Sequence, residues 1–222
     1  NKQVVPAGEL VLCTVGRSAG LLFLSLAVAA MIGIPLGAAA ALTRRRIGST
    51  LVLVVSFLGI SVPSFLLAMF LWIANIAVHR ALQIQVLPSA GFGWDAHMVM
   101  PALVLAGGTL AQVAQITYVS LTDVLQQDHI RTARAKGLPW PVIRTRHALR
   151  NVLIPVLNTL GSSLRFSLAS LPVVEYFFQW PGVGLTLLEA IGEGVSPLVT
   201  DLVLSLGTLF LLLNLLIELL YP

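Results

Sequence analysis

Cysteine is nearly missing from this sequence: Cys13 is the single one in 222 residues. One thiol excludes a disulfide framework within the chain and any multi-cysteine metal site, and it says nothing of redox compartment. Charge is scarce as well. Charged residues make up 10% of the chain and hydrophobic ones 57%, whereas an average soluble domain carries about 25% charged residues. So little polar surface excludes a soluble fold of this size and argues for a membrane protein. The net charge of +4 then matters less than where the cations stand.

Other absences narrow the function. No G-x-x-x-x-G-K-[ST] loop is present, so the usual phosphate cradle for ATP is missing. The four histidines, His79, His97, His129 and His147, are far apart and form no H-E-x-x-H or other ligand spacing. No nucleophile–base pair and no intramembrane cluster of acids suggests catalysis. No internal repeat, low-complexity tract or linker divides the chain, so residues 1–222 read as one domain. The order of a secretory leader is absent. The chain starts at Asn1 rather than Met, which raises the expectation that a segment precedes it in the natural protein.

What is present is a set of long apolar runs. A helix crossing a bilayer needs about 20 apolar residues. Residues 18–42, 47–78 and 98–122 carry no charge; residues 151–174 contain only Arg165, and residues 195–217 only Asp201. These predict five spans in an all-α, polytopic membrane protein. The second run is longer than a straight crossing needs and contains Pro63, so a kink or tilt is expected there.

The loops orient the spans. Arg44, Arg45 and Arg46 lie between the first and second runs. Arg131, Arg134, Lys136, Arg144, Arg146 and Arg150 lie between the third and fourth. Alternating crossings put these nine cations on one side and Lys2, Arg17 and Arg80 on the other. The positive-inside rule makes the nine-cation side cytoplasmic. The amino end is then outside and the carboxyl end inside, consistent with one more span before Asn1, six in all. The remaining outside segments, 80–97 and 175–194, are rich in Gly, Pro and aromatics and read as ordered turns with short re-entrant pieces.

Residues 123–150 are the one long polar stretch. Good helix formers predict a helix over 123–136, stopped at Gly137 with Arg134 and Lys136 complementing the dipole. Pro139 and Pro141 suit the first turn of a second, short helix reaching about Arg150. Trp140, Val142, Ile143 and Leu149 on it are apolar; Arg144, Arg146, His147 and Arg150 are basic. Two readings follow from the residues: an anchor on anionic lipid, or a knob that docks on a cytoplasmic partner. Their place beside two spans excludes nucleic acid in favour of membrane lipid or a protein partner.

The stretch "DHIRTARAKGLPWPVIRTRHALRNVLIPV" resembles the cytoplasmic loop of bacterial ABC-importer permeases of the dipeptide/oligopeptide/nickel family. Its hallmark is a short Ala-rich "EAA" loop ending at a glycine, here Arg131 to Gly137. "GIPLG" (33–37), "SVPSF" (61–65), "LPSAGF" (87–92), "VVEYFFQWPGVG" (173–184) and "NLLIELLY" (214–221) are similar to the same family, in order and over nearly the whole chain. Two positions depart from the pattern: Arg131 stands where the general loop has Glu, and Arg150 where a proline is expected. "SSLRFSLASLP" (162–172) is unusual in holding an arginine.

The resemblance implies a type I importer permease fold in a bacterial inner membrane. It implies a second homologous permease subunit, two ATP-binding subunits that carry the ATP and Mg, and an extracytoplasmic substrate-binding protein; no cofactor is bound by this chain. It implies transport of short peptides, with nickel or another small solute as the alternative; an ATP-independent secondary transporter or a scaffold are the readings from other classes. The loop glycine would mark a coupling corner. The expected coupling residues are Arg131, Ala133, Arg134, Ala135, Lys136, Gly137, Leu138, Pro139, Trp140 and Ile143, with Ala133, Gly137, Leu138, Trp140 and Ile143 touching the ATPase.

Within the spans, Ser61, Pro63, Ser162, Arg165 and Glu175 are candidates for the pathway or a gate. A central Arg costs about 2.5–3.5 kcal/mol on insertion scales and calls for a wet cavity or a counter-charge. Arg165 thus reads as a pathway residue drawing a substrate carboxylate, as a side chain snorkelling toward the interface, or as a structural pair with Glu175 or with an acid of a sister subunit. Glu175 reads as structural or gating, through bonds to the backbone of the next turn. Asp201 is expected to cap or begin the last helix. Gly33 and Gly37, a G-x-x-x-G pair, suit either a subunit interface or packing within the chain.

Overall fold

The structure, a computed structural model, describes residues 7–43, 46–83 and 86–220. Lys2, Arg44 and Arg45, which enter the charge count above, lie outside the described residues. The described chain is helical: α1 (Ala7–Leu42), α2 (Arg46–Ser61), α3 (Ser64–Leu82), a 3-10 turn (Ala96–Met98), α4 (Val99–Val124), α5 (Asp128–Ala135), α6 (Trp140–Val142), a π segment (Ile143–Leu149), α7 (Arg150–Phe178), α8 (Val183–Gly192) and α9 (Ser196–Leu220). Five stretches are long and apolar enough to cross a membrane: Gly8–Leu42, Ser64–Leu82, Ala96–Val124, Trp140–Phe178 and Ser196–Leu215.

Three expectations are corrected. The run 47–78 is not one kinked span but two helices, separated at Val62 and Pro63. Proline lacks the N–H that would continue the ladder, and it forces the residue before it out of the α region. Pro63 takes φ −58° and ψ 142° and restarts the chain as α3; its carbonyl accepts from Leu66 and Leu67. The polar helix expected over 123–136 is broken as well. Val124 ends α4, residues 125–127 turn, and α5 starts at Asp128, where a carboxylate in the first turn suits the helix dipole. The short helix beyond Pro139 does not stop near Arg150: helical structure continues from Trp140 to Phe178. With Arg150 where a proline was expected, nothing interrupts the ladder at that point.

By its contacts the chain divides into two compact units. One comprises residues 1–27, 62–107 and 164–222, the other residues 28–61 and 108–163. The core of the first unit is built from Leu21, Leu22, Ala68, Met100, Leu105, Leu164, Leu168, Leu171, Phe178, Trp180 and Leu202. The core of the second is built from Ala38, Val113, Leu121, Val124, Ile130, Ala133, Ile143, Ala148, Val152 and Val156. In the second unit α1 lies close against α4. A Cβ on Gly33 would come within 2.9 Å of the Leu110 carbonyl oxygen, and one on Gly37 would run into the Ala114 carbonyl oxygen and Thr117. The G-x-x-x-G pair therefore serves packing within the chain, the closeness of two backbones replacing side-chain volume.

Candidate functional site

The corner at Gly137 is built in the second unit. α5 ends at Ala135 with Lys136 as its C-cap, and Gly137 follows with φ +76°. The Gly137 N–H donates to the Arg134 carbonyl at 2.9 Å and the Leu138 N–H to the Ala133 carbonyl at 3.3 Å. This pair of bonds is the Schellman closure, which needs a left-handed residue and so favours glycine. Pro139 is extended, with φ −64° and ψ 140°. Its carbonyl accepts from Val142 and Ile143, so the new helix starts without a side-chain cap. The Arg134 guanidinium stacks 4.4 Å above the Trp140 ring, tying the two arms across the corner. Beneath the corner, Ile130 and Ala133 of α5 pack with Ile143 and Ala148.

The expected coupling residues sort into two groups. Arg131, Arg134, Ala135, Lys136, Gly137, Leu138, Pro139 and Trp140 are exposed. Ala133 and Ile143, expected to touch a partner, are 5% and 1% exposed and face the chain's own core. They hold the corner's two arms together, because helical spacing turns them inward while Arg131, Arg134 and Lys136 point out. What the corner presents is therefore a cationic rim around Leu138 and Trp140. The segment behind it, Ile143–Leu149, is π-wound; such bulges are frequent at functional sites.

The polar groups within the apolar helices are placed separately. Ser61 is exposed and its hydroxyl donates to the Phe57 carbonyl at 2.7 Å. Ser162 is exposed, its hydroxyl turned back on the Asn158 and Thr159 carbonyls. Arg165 is exposed, and its Nε donates to Asn214 Oδ1 at 2.7 Å. The pairing of Arg165 with Glu175 is not formed, because Glu175 is engaged elsewhere. Asp201 is the sixth residue of α9 and neither caps nor begins it; its backbone carbonyl accepts from Ser205.

Glu175 is fully buried and stands at the centre of a clasp in the first unit. Ser18 Oγ donates to Glu175 Oε1 at 2.5 Å, and the N–H groups of Gly184 and Leu185 donate to Oε2 at 2.7 and 3.2 Å. Ser18 Oγ in turn accepts from the Val183 N–H at 2.8 Å. The first N–H groups of a helix have no partner within it, and Gly182, at the N-cap of α8, has no side chain to offer. Ser18 and Glu175 cap α8 from two other helices. A Cβ on Gly182 would collide with the Glu175 carboxylate, so glycine is required by space. Around this clasp Trp180 packs on Phe92 and Trp94, with centroids 4.9 and 5.4 Å away. Arg17 lies 4.5 Å over the Phe92 ring and donates to the Pro181 carbonyl. Sequence reasoning missed Ser18 and Asn214. A lone serine or asparagine in an apolar run is the available signal, but it names no partner.

These features define a multi-pass helical membrane component with an exposed cationic corner between two membrane-length helices. Residues 33–222 match the family of binding-protein-dependent transport system inner membrane components, and the chain belongs to that family. It is 36% identical over 201 residues to the glutathione transport system permease protein GsiC of Pectobacterium atrosepticum, covering 89% of this chain and 63% of that one. It is 35% identical over 197 residues to GsiC of Shigella flexneri and 34% over 197 to GsiC of Escherichia coli, with the same coverage of 89% and 63%. The chain thus spans less than two thirds of the length of these relatives.

Proposed function

We propose that this chain is a membrane-spanning permease subunit of an ATP-driven importer, residues 1–222 acting as one permease domain. Its substrate is a short peptide of the size of a tripeptide, delivered by an extracytoplasmic binding protein. Family membership supports the first statement, and the similarity to glutathione transport system permease proteins supports the second. A second permease subunit and two ATPase subunits complete the assembly. The amino end of the chain faces outward and the corner and carboxyl end face the cytoplasm, a direction supported by the placement of the cations.

The observation that carries the coupling role is the corner at Gly137. A helix closed by a Schellman glycine, a proline restart and a cation–π tie make a rigid knob with Leu138 and Trp140 at its tip. A lipid anchor needs no such fixed corner. Nucleotide-driven closure of the ATPases would move this knob as a unit and carry the motion into α4 and α7. In this reading Gly137, Leu138 and Trp140 make the contact, Arg131, Arg134 and Lys136 meet acidic groups at its rim, and Ala133 and Ile143 stiffen it from within.

Co-purification from detergent with the ATPase subunits and the sister permease tests the assignment. Wild type should retain the ATPases, and Gly137→Arg should lose them while still entering the membrane. Equal retention by both would place the contact elsewhere. Loss by both would make the loop a lipid anchor and favour transport without ATP.

A further inference from the structure

One pair of polar groups in the first unit is left unused by the coupling role. Arg165 lies 13 residues before the end of α7 at Phe178, roughly 20 Å along the helix. That is well inside a hydrocarbon core about 30 Å thick. It is exposed, and one of its five N–H donors is taken by Asn214 Oδ1 at 2.7 Å. The exposed residues Arg165 and Ala169 follow one another at i and i+4 on α7. That spacing places them on one face of the helix. A face carrying a guanidinium does not suit hydrocarbon, where each unsatisfied N–H is costly. Among the described residues, the ion pairs are Asp95 with His97 and Asp128 with Arg131, so no described carboxylate neutralises Arg165.

The partner's chemistry decides what this arrangement can do. Asparagine accepts the Nε proton and orients the guanidinium, but it brings no charge to cancel the field. The Nη edge is left as a planar fork, which matches a carboxylate with two parallel bonds. We propose that Arg165, held by Asn214, is a carboxylate-binding station on the transport path and favours peptides with a free carboxylate. This rests on the permease reading above. An aspartate at 214 would keep the bond, neutralise the fork and abolish the preference.

The test reads the local field directly, in the membrane-embedded complex. In a Cys13→Ser background, Ala169→Cys places a thiol one turn from Arg165 on the same face. The side chain it replaces is small and exposed, so the thiol adds one atom without displacing a packed group. Its reaction rates are measured with two methanethiosulfonates, one bearing a sulfonate and one a trimethylammonium group. A unit charge about 7 Å away in a water-like medium changes each rate by a small factor in opposite directions, so the anion-to-cation ratio should fall about fivefold in Arg165→Gln. Asn214→Asp should lower the ratio similarly, and Arg165→Lys should keep it. A thiol that reacts with neither reagent would overturn the proposal, since the face would not be wet. A ratio unchanged by Arg165→Gln or by Asn214→Asp would overturn it too, since Arg165 would already be neutralised. Failure of the permease reading is seen separately, in the ATPase co-purification of the protein with Arg165 intact.

Discussion

Replacing Glu175 by alanine should open the turn that precedes α8 without unfolding the rest of the chain. The magnitude follows from the acceptors lost. The Gly184 and Leu185 N–H groups, at 2.7 and 3.2 Å from Oε2, lose their partner. Ser18 loses the acceptor of its own proton, though it can still accept from Val183. A buried donor left unsatisfied costs about 1–3 kcal/mol. Two amides therefore set a penalty of about 3 kcal/mol, taking the lower part of the range because water can enter the space left by the side chain. Local opening governs amide exchange in such a segment, so about 3 kcal/mol corresponds to roughly a hundredfold faster exchange. Hydrogen exchange of a peptide covering residues 179–186, read by mass spectrometry on the protein in detergent, is the assay. Glu175→Gln keeps one acceptor oxygen and should fall between, near tenfold. A hundredfold change confined to this peptide is expected. Unchanged exchange in Glu175→Ala would refute the reasoning, because the capping of α8 would then be supplied by something other than the clasp.

Three further outcomes can be checked with similar means. Gly37→Val should lower the yield of monodisperse protein, because its Cβ meets the Ala114 backbone, whereas Gly207→Val should not, since nothing lies within 4 Å of that position; overpacking of this kind costs about 1–3 kcal/mol. Gly137→Ala should cost about 1–2 kcal/mol through the left-handed φ of +76°, seen as faster exchange of the Leu138 amide. At the 95–98 turn, the His97 backbone N–H and then its ring hold the Asp95 carboxyl below its ordinary value of 3.8. A depressed value stabilises the turn above pH 3.8 and loses that effect as pH falls through the folded value. Protection of the Met98 amide, which donates to the Asp95 carbonyl, should therefore exceed that of Asp95→Asn above pH 3.8 and converge with it below.

Much of the fold was legible because its signals are local. Four of the five expected runs coincide with membrane-length helices, since a long apolar segment without charge has few other stable states in a bilayer. The stop at Gly137 was legible from the glycine, the flanking cations and the prolines. The misplacements came from local competition that composition does not weigh. Pro63 breaks the second run rather than bending it, and the helix that begins at Trp140 runs on past Arg150 to Phe178. Ala133 and Ile143 were assigned to a partner's surface because they lie within the corner's sequence. Which side of an eight-residue helix faces inward depends on what lies beneath it, and that is Ala148 and the rest of the second unit's core.

By itself, the sequence determined the membrane class, the helical spans, the side that the cations favour and the corner at Gly137. Each depends on residues within a few positions of one another, through hydrophobicity, charge or backbone restriction. Only the tertiary structure decided the partners of isolated polar residues. Ser18 and Glu175 are 157 residues apart and Arg165 and Asn214 are 49 apart. No periodicity links such pairs. A single polar group in an apolar helix states that it needs a partner, and the packing of helices alone decides which one it finds.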